Sequence, residues 1–231
     1  MPTAKPPRTP LDRTAVLRAA VAIADREGLD AVSMRRVARA LGVVPMALYK
    51  HVGDKEDLLD GMVAVVIDGF AAPVPAEPPT AWKPVARDAI LAARRGLAGH
   101  PWARRAIETR SRRTPSVLRH MEALTSAFLR GGFSPDLTHH AMHALGNRIW
   151  GFSPELFDES PAPAATQART QSRSAAPDPA DYPGILSVSA DAAARRPGAT
   201  SCDEDAEFTF ALDLLLDAIE RLHEAGWSSP R

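Results

Sequence analysis

The chain has 231 residues, 45% of them apolar and 24% charged, which is the composition of a globular protein of one large or two modest domains. Twenty-eight Lys and Arg balance twenty-eight Asp and Glu, so net charge alone points to no anionic partner, and the single cysteine, Cys202, excludes an internal disulfide and a cysteine-rich metal site. The longest apolar run, Met62 to Ile67, is far too short to span a bilayer, and the N-terminus lacks an apolar signal core, so a soluble cytoplasmic protein without membrane contact is expected.

Charge is unevenly placed. Residues 1–55 hold ten Lys and Arg against five acids, whereas residues 200–231 hold eight acids against Arg221 and Arg231. A basic end on a neutral chain suggests that this end meets an anion.

In chain order, residues 1–10 read as a flexible basic arm. Leu11, Ala15, Val16, Ala19, Ala22 and Ile23 recur at three- and four-residue spacing, which predicts a first helix over 11–27 stopped by Gly28. Ser33 can cap a second helix with Val37, Ala38 and Leu41 inward, ended by Gly42. Pro45 suits the first turn of a third helix running to about His51. Asp54 can cap a fourth, with Glu56 and Asp57 favourable at its positive end; it fails before the prolines at 73, 75, 78 and 79. Further helices are predicted over 80–99, 101–110, 114–130, 135–152, 182–194 and 203–225. Residues 158–180 read as a flexible loop. Strand-like alternation is absent, so the expectation is an all-α chain: a three-helix head over 11–60, then a larger helical region over 61–231.

The third helix is too short to be stable alone in water. Its neighbours must hold it, and residues 34–51 fit a helix-turn-helix. Gly42 allows the tight turn, while Val43 and Leu48 pin the short helix. Pro45, Met46, Ala47, Tyr49, Lys50 and His51 stay outside and can enter a major groove. Lys50 suits a phosphate or a guanine edge, and Tyr49 and His51 suit phosphates. Arg35 and Lys55 open the second and fourth helices, beside free backbone N–H groups that also attract phosphate. The bland alternative is a small hairpin with a solvated basic face.

Residues 11–60, above all ALGVVPMALYKHVGDKEDLLD, resemble the N-terminal domain of the tetracycline-repressor family. Leu41, Gly42, Val43, Leu48, Tyr49, His51, Val52, Lys55, Leu58 and Leu59 carry the likeness. It implies that Tyr49, His51 and Lys55 contact phosphates and that Pro45, Met46, Ala47 and Lys50 face bases. Three of those four are apolar, which suits thymine methyl groups. Residues 80–225 resemble the ligand-binding domain of the tetracycline-repressor branch, through His100-Pro101-Trp102, GGFSPD, the Gly146–Gly151 segment and FTFALDLLLDAIERL. This implies a helical effector pocket and a homodimer built from two C-terminal helices of each subunit.

The pocket would lie among residues 101–152, with Trp102, Met121, Leu124, Phe128, His143, Asn147, Trp150 and Phe152 as candidate lining. Such a lining suits a small hydrophobic or aromatic effector. Leu124 and Asn147 stand where the founding repressor has drug-contacting groups, a departure from its tetracycline site. The expected function is a ligand-responsive repressor released from double-stranded operator DNA, with no cofactor and no catalysis. The alternative is a helical-bundle metalloenzyme using His139 and His143, four residues apart on one helix side, with Asp136 or Glu155 completing the set.

Overall fold

A computed structural model gives the fold and describes residues 11–70, 81–109, 114–150, 179–195 and 203–230, with the backbone alone at 147–150 and 179. Among them there is no strand. The chain divides into two compact units: residues 1–151 with 212–231, and residues 152–211. The arm at 1–10 and the loop at 158–178 lie outside the described residues, as do Glu155 and Phe152.

The first unit opens with α1 (Arg13–Glu27), whose N-cap is Asp12: its Oδ1 accepts from the N–H of Ala15 at 2.7 Å. Gly28 follows at φ 83°, and a 3-10 turn over Leu29–Ala31, not foreseen from the sequence, leads to α2 (Met34–Leu41). Ser33 caps α2 through its Oγ, which accepts from Arg36 N–H at 3.2 Å. Gly42 ends α2 in the left-handed region, φ 66° and ψ 31°, where a side chain would be strained. Next come α3 (Pro45–Leu48) and α4 (Lys55–Asp68), the latter capped by Asp54.

Next in this unit come α5 (Trp82–Ala98), α6 (Ala103–Glu108), α7 (Pro115–Arg130) and α8 (Pro135–Trp150). One core runs without a break from α1 to α6 and takes in Val16, Ile23, Leu48, Leu58, Met62, Ala93, Trp102 and Ala106. Helices α1 and α4 cross closely because α4 offers Gly61 there: a Cβ on it would lie 2.5 Å from Leu17 Cδ2. Beyond this, Trp82, Phe128 and Phe133 form an aromatic cluster with centroids 4.7–5.2 Å apart, and His223 stacks on Phe133 at 4.0 Å. Phe128 is wholly buried, and burial of such a side chain contributes about 2–3 kcal/mol.

In the second unit, a 3-10 turn (Pro179–Asp181) leads into α9 (Pro183–Arg195), whose side chains are almost all exposed. The last helix, α10 (Glu204–Glu224), begins in this unit, where Asp203 Oδ1 accepts from Ala206 N–H at 3.0 Å, and its residues from Leu212 onward belong to the first. There Leu212, Leu216 and Ile219 are buried. Arg87 of α5 forks onto Asp213, at 2.7 and 3.1 Å, and Lys83 reaches Asp217 at 2.7 Å. These pairs strap α5 to α10.

Candidate nucleic-acid interface and regulatory core

Helix α3 is held as the sequence requires and is shorter than expected. Its regular part stops at Leu48; residues 49–51 form a turn, closed by His51 N–H and Val52 N–H donating to Leu48 O at 2.8 and 2.9 Å. Leu48 and Val52 are buried and anchor both ends of this turn. The turn cannot continue as helix because Asp57 of α4 takes the next N–H, that of Gly53, at 2.8 Å.

Asp57 is the centre of a clamp. Arg13 of α1 pairs with both its oxygens, at 2.9 and 2.6 Å, and also donates to the carbonyl of His51 at 2.7 Å. The Arg13 side chain, supported by the Gly53 N–H, holds the Asp57 carboxyl below its ordinary 3.8, against a smaller opposing effect of burial. The start of α1, the end of the reading turn and the start of α4 are thereby fixed together by one guanidinium.

The scaffold leaves four of the six residues expected on the outside of this turn exposed. Met46 is 72% exposed and Tyr49 47% exposed; Pro45 and Lys50 are exposed, while Ala47 and His51 are half-buried. Arg35, in the first turn of α2, and Lys55, the first residue of α4, are exposed, and neither they nor Lys50 have a carboxylate partner among the described residues. Val44, 68% exposed beside Met46, extends this apolar surface and was not foreseen. An apolar reading face flanked by free cations matches a duplex: cations for phosphate, methyl and methylene groups for base edges.

The pocket candidates scatter more widely. Leu124 and Phe128 are buried and Met121 is half-buried on α7, whereas His143 is exposed on α8. Asn147 and Trp150 are on the α8 backbone, but their side chains lie outside the described residues. Trp102 is buried and turned toward α1: its Nε1 donates to Asp25 Oδ1 at 2.6 Å, beside His100 Nδ1, 2.7 Å from the same oxygen. A cleft of about 410 Å³ opens there, between Asp25, Leu29, Trp102 and Arg105. The histidines of α8 stand in contact, with the rings of His139 and His143 4.6 Å apart, and both are exposed. Asp136 accepts from the Ser229 N–H of the C-terminal tail at 2.7 Å and lies 3.7 Å from His140 Nε2. Among the described residues no three His, Cys, Asp or Glu gather as a metal site. Sequence reasoning passed over His120 of α7, whose half-buried imidazole meets Phe70 edge-on with centroids 5.5 Å apart.

Comparison with known proteins accords with this geometry. Residues 16–62 match the profile of bacterial regulatory proteins of the tetR family, and residues 74–223 that of the tetracyclin repressor-like C-terminal domain. An HTH-type transcriptional regulator of Saccharopolyspora erythraea is 33% identical over 145 residues, 61% of this chain and 59% of that protein. The HTH-type transcriptional repressor DrrR1 of Streptomyces coeruleorubidus is 31% identical over 97% of this chain and 83% of its own length. Among solved structures, apo ActR of Streptomyces coelicolor superposes with a TM-score of 0.69 at 23% identity, covering 95% of this chain and 99% of ActR. ActR bound to actinorhodin superposes with a TM-score of 0.67 at 24% identity, over 92% of this chain and 98% of ActR.

Proposed function

The chain belongs to the TetR family of bacterial regulatory proteins, and from that premise we propose that it is a homodimeric repressor, released from its operator by a small hydrophobic or aromatic effector. The observation that carries the DNA role is the clamped α3: a four-residue helix, anchored by Leu48, that exposes Pro45, Met46, Tyr49 and Lys50. Residues 11–60 act as the reading head, and the helices that follow as the regulatory and dimerisation region. Tyr49, His51, Lys55 and Arg35 take phosphates; Pro45, Met46, Ala47 and Lys50 face the bases.

Two heads are needed, because half-sites lie about 34 Å apart, one DNA turn. The exposed Leu214 of α10, 52% accessible amid an apolar helix, and the exposed side of α8 suit contact with a second copy. Repression is supported by DrrR1, a repressor by name and alignable over nearly the whole chain. An aromatic effector is supported by the apolar lining at Leu124 and Phe128, and by ActR, which has been solved with actinorhodin. Such a protein works in the cytoplasm, and no helix among the described residues is long and apolar enough to cross a membrane. The effector favours the conformation that does not fit DNA, so operator DNA weakens effector binding by the same factor.

The test is a gel shift on DNA upstream of the protein's own coding sequence. Retarded bands lost in Tyr49→Ala and Lys55→Ala support the assignment. Retardation indifferent to both substitutions sinks it.

A further inference from the structure

Two buried side-chain atoms have no hydrogen-bond partner among the described residues, the hydroxyl of Thr138 and Nε2 of His120. Leaving a buried polar atom unpaired opposes folding, so each requires an explanation. A threonine hydroxyl can turn toward carbonyls of its own helix. An imidazole packed against another ring has no such freedom.

The surroundings of His120 give its orphan nitrogen a use. Phe70, which it meets edge-on, sits just past the end of α4. Phe70 in turn lies on Gly96 of α5, where a Cβ would come within 2.4 Å of its Cδ1. On the same turn of α7, Ser116 Oγ and Arg119 Nη2 each donate to Asp68 of α4 at 3.0 Å. Three contacts from α7 therefore grip the end of α4 and the residue just beyond it, and of the three side chains only His120 has a buried polar atom without a partner.

Resting on the regulatory reading above, we propose that His120 recognises the effector: its Nε2 hydrogen-bonds a hydroxyl or carbonyl carried by an aromatic molecule seated beside Phe70. Burial lowers the imidazole pKa and keeps the ring neutral. A neutral ring offers one donor and one acceptor, which suits an uncharged polar group rather than a carboxylate. Because the same ring touches Phe70, an effector bound to His120 also bears on the end of α4, the helix whose start belongs to the DNA-reading clamp.

The probes are β-naphthol and its methyl ether, titrated by calorimetry into wild type, His120→Phe and His120→Gln. Wild type should prefer the free phenol, and His120→Phe should bind it about tenfold more weakly while keeping its affinity for the ether. His120→Gln, which retains a polar end, should keep part of the preference. Without ligand, His120→Phe should melt at or above the wild-type temperature, since an unpaired polar atom has been removed. Undiminished phenol binding by His120→Phe, no binding of either probe by wild type, or a sharp fall in the melting temperature of His120→Phe each overturns the proposal. Operator retardation measured on the same samples separates the two readings: its absence in wild type defeats the regulator assignment, and its presence beside any of those three results defeats the role of His120 alone.

Discussion

Replacing Leu48 by Ala tests whether α3 is held from beneath. The Leu48 side chain is 0% exposed, within a helix of four residues. Deleting a buried leucine beyond its Cβ costs about 3 kcal/mol, from lost transfer free energy plus the cavity left behind. In a chain of this length that lowers Tm by about 6–12 °C. Helix α3 has no stability of its own to offset the loss, so the head should open locally and operator affinity should fall by about tenfold or more. Met46→Ala is the matched control. At 72% exposure it should change stability by less than about 0.5 kcal/mol, yet it removes a base-facing side chain and should still weaken the operator complex. Urea unfolding followed by circular dichroism, with fluorescence anisotropy on labelled operator, reads both quantities. A Leu48→Ala protein with native midpoint and native affinity would refute the reasoning, as would Met46→Ala unfolding as early as Leu48→Ala.

Two phosphate-facing cations per head, Arg35 and Lys55, should give a log K against log salt slope of about −4 for the dimer, and Lys55→Ala should make it shallower by about 2; a slope unchanged in that variant removes Lys55 from the phosphate contacts. The Asp57 carboxyl, held down chiefly by Arg13, contributes stability above pH 3.8 that is lost as pH falls through its lowered pKa. Its side chain is 39% exposed, so the contribution is about 1 kcal/mol or less, and the gap between wild type and Asp57→Asn in acid unfolding should close below that pH. A charge placed on the open side of α10 by Leu214→Asp should yield monomers in sedimentation and abolish operator retardation; a dimeric Leu214→Asp protein moves the interface elsewhere.

The head was legible because its signals are local. Ser33, Gly42, Pro45 and Asp54 each act within four residues of their own position, and each does so in the structure: as caps, as a left-handed stop, or at the first position of a helix. Even here the start of α1 differs from the periodic pattern, since Asp12 caps the helix and Arg13, not Leu11, begins it. The contacts that fix the head were not legible. Arg13 and Asp57 lie 44 residues apart, and Trp102 and Asp25 lie 77 apart, distances at which spacing carries no information about pairing. Trp102 was read as pocket lining from its apolar bulk, whereas the structure occupies its N–H with α1. His120 sits in the polar run Arg119-His120 and carries no periodic signal. Its burial comes from Phe70, brought across from α4 by chain closure that sequence does not encode locally.

The Arg13 clamp has a consequence for what an effector can change. Because a single side chain rivets α1, the reading turn and α4 into one piece, a push on the far end of α4 tilts that piece as a lever and leaves the shape of its tip intact. Induction would then alter how far apart the two tips stand, while each keeps its taste for the same bases. Isolated half-sites should be ranked in one order by the free and by the induced protein, and only their tandem arrangement should lose its hold.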